Sequence, residues 1–119
     1  MSKQWLQSAT VAVNDATGAL LVEGFEGSGP VSVANVTSVA AATQSVTLLA
    51  VNASRRGLVI HNDSTATLWV KFGSAAFATS YTYELTAGAH LELSAGVFTG
   101  LICGIWETAD GYARITELS

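Results

Sequence analysis

The sequence predicts an all-β domain, a sandwich or jelly-roll-like fold preceded by an N-terminal β-hairpin arm. Three observations carry that expectation. Short runs rich in Val, Ile and Thr recur about every 8–12 residues, the spacing of sandwiches and small barrels. Gly, Asn and Asp fall between these runs, where turns require them, and Pro30 is the lone proline. No segment shows the apolar spacing of a long amphipathic helix, which argues against an α/β arrangement.

The elements follow in order. Residues 1–30 read as an arm and hinge, and residues 31–119 as the sandwich. A short β run over 10–13 holds Val11 and Val13. Asn14-Asp15-Ala16-Thr17-Gly18 is turn chemistry, and Leu20, Leu21 and Val22 mark the returning strand. A lone hairpin is marginal in water, so this one is expected to pack against something else. Gly24-Phe25-Glu26-Gly27-Ser28-Gly29-Pro30 reads as a linker. Residues 31–39 form a weak strand on Val31, Val33, Val36 and Val39. Ala40-Ala41-Ala42 suggests a short helical turn.

Seven further strands are expected, at 44–51, 57–61, 67–72, 81–85, 89–93, 101–106 and 112–118. Leu58 and Ile60 share one face of the second. In the third, Leu68, Val70 and Phe72 point inward and Trp69 and Lys71 outward. Tyr81, Tyr83 and Leu85 then alternate with Thr82 and Glu84, and Leu91 and Leu93 with His90 and Glu92. The nearly all-apolar 101–106 run reads as central. Asn62-Asp63-Ser64-Thr65 is a turn, and Ala87-Gly88 and Asp110-Gly111 read as tight hairpin turns.

A chain of 119 residues supports one domain with one core. Half of it is hydrophobic, but only 12% is charged, against about 25% in a typical globular domain. A surface so rich in Ser, Thr, Ala, Gly and Asn suits a chain covered by neighbours, either copies of itself or a larger assembly. A net charge of −4 with only five Lys and Arg argues against nucleic acid as a partner. The lone cysteine, Cys103, has no intrachain disulfide partner. Residues 1–7 do not read as a signal peptide, and no apolar run approaches the ~20 residues of a membrane span. The expectation is a protein made and folded in a cytoplasm, with no membrane partner.

No constellation of residues calls for catalysis. Cys103 lies in the most apolar strand, where a thiol behaves as a small hydrophobe. His61 and His90 lie on polar faces without a ligand set at metal-binding spacing. Glu84 and Glu92 flank Ala87-Gly88 and resemble a glycosidase carboxylate pair in type, yet outward glutamates also protect sheet edges. The 24–30 stretch lacks the Gly-Lys-Ser/Thr ending of a phosphate-binding loop. Trp69 and Trp106, with Tyr81, Tyr83 and Tyr112, are either core residues or anchors for a protein or sugar. Arg55 and Arg56 either bind acidic groups of a partner or satisfy loop carbonyls of their own fold. The reading is therefore no enzyme, no cofactor and no metal.

Several stretches carry a resemblance. These are Asn52-Ala53-Ser54-Arg55-Arg56-Gly57-Leu58-Val59-Ile60-His61-Asn62-Asp63-Ser64, Leu68-Trp69-Val70-Lys71-Phe72-Gly73, Phe98-Thr99-Gly100, Gly104-Ile105-Trp106 and Ala109-Asp110-Gly111-Tyr112-Ala113-Arg114-Ile115-Thr116-Glu117. Over about residues 44–118 the chain resembles the C-terminal β-domain of small structural proteins of tailed bacteriophages. The segment 11–22 and its glycine-rich continuation resemble the opening of such virion proteins. The resemblance implies a non-enzymatic virion component made in a bacterial host cytoplasm. Its expected place is the outer capsid surface, as a decoration or cement protein that bridges major capsid protein subunits. A homotrimer is expected, with assembly contacts at Trp5, Leu6, Val11, Val13, Leu20, Leu21, Val22, Arg55, Arg56 and Trp69. The alternatives are a tail, collar or fibre-base subunit, and a carbohydrate-binding module for host attachment.

Overall fold

A computed structural model of the chain describes residues 30–119, and the expected N-terminal hairpin arm lies outside the described residues. Eight strands form there: β1 (Ala34–Ala40), β2 (Val46–Leu49), β3 (Gly57–Asp63), β4 (Leu68–Phe72), β5 (Tyr83–Leu85), β6 (His90–Leu93), β7 (Ile102–Trp106) and β8 (Tyr112–Leu118). They make two four-stranded antiparallel sheets, ordered β1-β8-β3-β6 and β2-β7-β4-β5. This strand order is that of a jelly roll, in which the chain passes back and forth between the two sheets.

The alternation read from the sequence sets the core. Leu58 and Ile60 of β3, Leu91 of β6, and Ala113 and Ile115 of β8 face Leu68 and Val70 of β4, Leu85 of β5, and Ile102 and Trp106 of β7. β2 breaks the alternation. Its register against β7 shifts between Thr47 and Leu49, a bulge that turns both Leu48 and Leu49 into the interior. Gly104 of β7 sits where a side chain would press within 3.0 Å of Leu48 and Leu68, so the glycine allows the close packing.

Two expectations fail here. Ala40 is the last residue of β1, and Ala41 and Ala42 form no helical turn. Ala87-Gly88 and Asp110-Gly111 do not close hairpins. β5 and β6 lie in different sheets, as do β7 and β8, so both turns carry the chain from one sheet to the other. Turn chemistry is the same in both cases, because Gly88 and Gly111 hold the positive φ that either connection needs. Of the consecutive strands, β4 and β5 pair directly.

Each end of the sandwich is tied by one buried polar side chain. Asn62 continues the inward series of Leu58 and Ile60 and is fully buried. Its Nδ2 donates to the carbonyls of Ala66 (2.7 Å), Leu85 (2.9 Å) and Thr86 (3.1 Å). Its Oδ1 accepts from Ser64 Oγ (2.7 Å) and Trp106 Nε1 (3.2 Å). One carboxamide therefore joins the β3–β4 turn, the β5–β6 crossing and the end of β7.

At the opposite end, Arg55 precedes β3 and is 3% exposed. Its Nε donates to Glu117 Oε2 at 2.7 Å, its Nη1 to the carbonyls of Phe98 (2.6 Å) and Gly100 (3.0 Å), and its Nη2 to that of Ala50 (2.6 Å). The guanidinium fork thus binds the β2–β3 connection, the β6–β7 connection and β8 together.

Replacing Asn62 by Ala leaves Trp106 Nε1 and buried carbonyls without partners. Urea denaturation should show a loss of about 2–4 kcal/mol, from the desolvation of orphaned groups and the cavity. A loss below about 1 kcal/mol would show that the carboxamide does not hold that end closed.

Candidate assembly surface

The expected contact residues separate sharply. Trp5, Leu6, Val11, Val13, Leu20, Leu21 and Val22 lie outside the described residues. Arg55 is inside the fold, with its donors held by Glu117 and three carbonyls, which corrects its expected place in an assembly interface. Of the two readings of this arginine, satisfaction of its own loops matches the geometry. Arg56 is half-buried, and its Nη1 donates to the Pro30 carbonyl at 3.2 Å. Trp69 is half-buried on the outer face of its sheet, opposite Glu84 on one side and Ile105 on the other.

Trp106 is a core residue, 1% exposed and hydrogen-bonded to Asn62, so it offers no face for stacking a sugar. Glu84 and Glu92 do not meet. Glu84 is opposite Trp69 in one sheet, and Glu92 is opposite Val59 in the other, so the two carboxylates lie on opposite outer faces of the sandwich. The sequence placed them together only because Ala87-Gly88 read as a hairpin.

His61 and His90 are direct cross-strand neighbours on the outer face of the β1-β8-β3-β6 sheet. Among the described residues no group of three or more His, Cys, Asp and Glu forms a metal-binding set. Cys103 is buried. No helix among the described residues is long and apolar enough to cross a membrane.

The described cations are all engaged within the chain. Besides Arg55 and Arg56, Lys71 donates to Ser80 Oγ at 2.8 Å. Arg114 bonds Asp63 Oδ2 (2.8 Å) and Ser38 Oγ (2.9 Å) and lies 4.5 Å over the Tyr112 ring. The exposed Arg114–Asp63 pair adds little stability, because water screens it.

Glu84, Glu92, Glu107 and Asp110 are exposed, whereas one sheet edge carries no charge. β1 is an edge strand, and all of its residues except Val39 are exposed, with Val36 at 70%. A second group gathers aromatic side chains. Phe72 stacks on Phe98 with ring centroids 5.0 Å apart and tilts against Tyr83 at 5.8 Å. Phe98 and Tyr83 are exposed, as are Phe77 and Tyr81. Phe77 is not singled out in the sequence, and Phe98 stands out there only within a resembling stretch, because both lie in connections where no alternation assigns a face. An open cleft of about 620 Å³ lies between Pro30, Arg56, Val97 and Ser119, where residue 30 joins the sandwich.

Comparison with protein-family models, with curated proteins and with solved structures returns no match. The reading of this surface therefore rests on its geometry and on the residues themselves.

One carboxylate sets a pH dependence at the Asn62 end. Asp110 accepts from Thr65 Oγ1 (2.6 Å) and the Thr65 amide (3.0 Å), bonds that hold its carboxyl below the usual carboxylate range. A depressed pKa gives stability that is present above the unfolded-state value and lost as pH falls through the folded one. Asp110→Ala should therefore lower the melting temperature near neutral pH, and the gap from wild type should close in acid. A gap that stays constant down to pH ~2 would contradict the assignment.

Proposed function

We propose that this chain is a non-enzymatic structural subunit of a tailed-bacteriophage virion. In this reading it decorates the outer capsid surface as a homotrimer and bridges capsid protein subunits. The jelly roll forms a rigid knob, and residues 1–30 form an arm that makes the assembly contacts. The observation that carries the reading is the uncharged, uncovered edge strand β1 on a domain whose described cations are engaged internally. Such an edge suits burial against neighbours. The resemblance of residues 44–118 to phage virion β-domains supports the same reading. Several weak arms acting together give the avidity that a cement protein needs.

A second reading has its own support. The exposed Phe98 and Tyr83, on either side of the half-buried Phe72, and the half-buried Trp69 would suit a carbohydrate-binding module for host attachment. Saturable binding to bacterial glycans, lost in Trp69→Ala or Tyr83→Ala, would favour it.

The capsid reading is tested by mixing the purified chain with undecorated, expanded capsids and measuring co-sedimentation. The full chain should bind saturably. A chain lacking residues 1–30 should keep its β-sheet circular dichroism and lose binding. Equal binding by the truncated chain would overturn the arm mechanism, and no binding by the full chain would overturn the decoration role.

A further inference from the structure

The four sheet edges are not alike. β2, β5 and β6 have four, three and four residues, and β5 and β6 each carry a glutamate. Short and charged edges resist further strand pairing. β1 has seven residues, Ala-Asn-Val-Thr-Ser-Val-Ala, with no charge and no proline. It presents about 23 Å of strand.

The ladder shows which backbone groups face outward. Val33 exchanges both hydrogen bonds with Ser119, and the Ala41 amide donates to the Gly111 carbonyl. The β1–β8 register continues the same pairing between these points. Hydrogen-bonded pairs alternate in an antiparallel ladder, so Asn35, Thr37 and Val39 bond to β8. The N–H and C=O groups of Ala34, Val36, Ser38 and Ala40 therefore point to the free side, where among the described residues no strand pairs with them.

We propose that this free edge of β1 is the docking site for the apolar segment Ala19-Leu20-Leu21-Val22-Glu23 of a neighbouring copy of the chain. The inference rests on the self-association proposed above and names its contact. The segment suits the site, because four of its five residues are apolar and β1 is uncharged. Strand addition supplies main-chain hydrogen bonds, and Val36 offers an apolar side chain for packing.

The route of the chain favours a neighbour over its own subunit. Residue 30 is tied by Arg56, and Ser32 and Val33 are tied to the Ser119 carbonyl, so the direction of the chain ahead of β1 is set. A return onto its own β1 would have to be made within residues 24–29. Tight β-hairpins use two to five residues with defined turn geometry. Gly24-Phe25-Glu26-Gly27-Ser28-Gly29 has linker composition instead, and six residues reach at most ~20 Å when fully extended, enough to meet a neighbouring copy.

The test uses the full chain without any capsid, so it stands or falls separately from the virion reading. Amide hydrogen exchange by NMR and sedimentation velocity are measured over one dilution series. The Val36 and Ser38 amides should be protected in the oligomer and lose protection on dilution as it dissociates. Val36→Pro removes an outward N–H and leaves the β8 ladder intact, as proline can at a free edge. It should give a monomer whose β8 amides remain protected. Leu21→Asp should do the same from the other partner, and it carries the test if Val36→Pro does not fold.

Three results would overturn the proposal. The first is free exchange at Val36 and Ser38 in an intact oligomer. The second is protection that persists in the monomer, which would place the chain's own segment on the edge. The third is protection that survives Leu21→Asp, which would mean that β1 of a second copy covers it.

Discussion

The carboxamide of Asn62 sits where three crossings of the jelly roll converge. In this topology most consecutive strands lie in different sheets, so few local hairpins hold the ends together. A buried group that accepts and donates in several directions is the direct solution. Asn62 serves the Ala66, Leu85 and Thr86 carbonyls together with Ser64 and Trp106. Arg55 repeats the device at the other end with a charge, neutralised by Glu117 at 2.7 Å. Low local dielectric strengthens both sets of bonds and makes either residue costly to remove.

Arg55 and Asn62, the buried polar residues among those described, fix the two ends from within. The described cations tie loops, a hydroxyl or an exposed carboxylate. What faces outward on β1 is backbone and small uncharged side chains. The low charge content is unevenly spread: β5 and β6 carry exposed glutamates, and the β1 edge carries no charge. That edge begins four residues after Pro30, whose carbonyl is held by Arg56.

The strands themselves were legible in the sequence. The alternation of 57–61 put Leu58 and Ile60 on one face, and both are buried in the core. The partners of the strands were not legible. Ala87-Gly88 supplies the same turn whether the chain pairs with the preceding strand or crosses the sandwich, and only long-range packing decides. From that one ambiguity came the false pairing of Glu84 with Glu92, and the true pairing of His61 with His90 was missed for the same reason. Arg55 was legible as a residue type but not as a location. Its four acceptors lie 5 to 62 positions away in sequence and meet only in the folded end. The bare edge of β1 depends equally on long-range pairing, because a seven-residue strand reads alike at the centre of a sheet and at its margin.

Cryo-electron microscopy of the phage particle proposed to carry this protein tests the central claim most directly. The account predicts jelly-roll density on the outer capsid at local three-fold positions, with an extra strand beside β1 traced to a neighbouring subunit. Density confined to the tail or to a single vertex, with β1 facing open solvent, would contradict it.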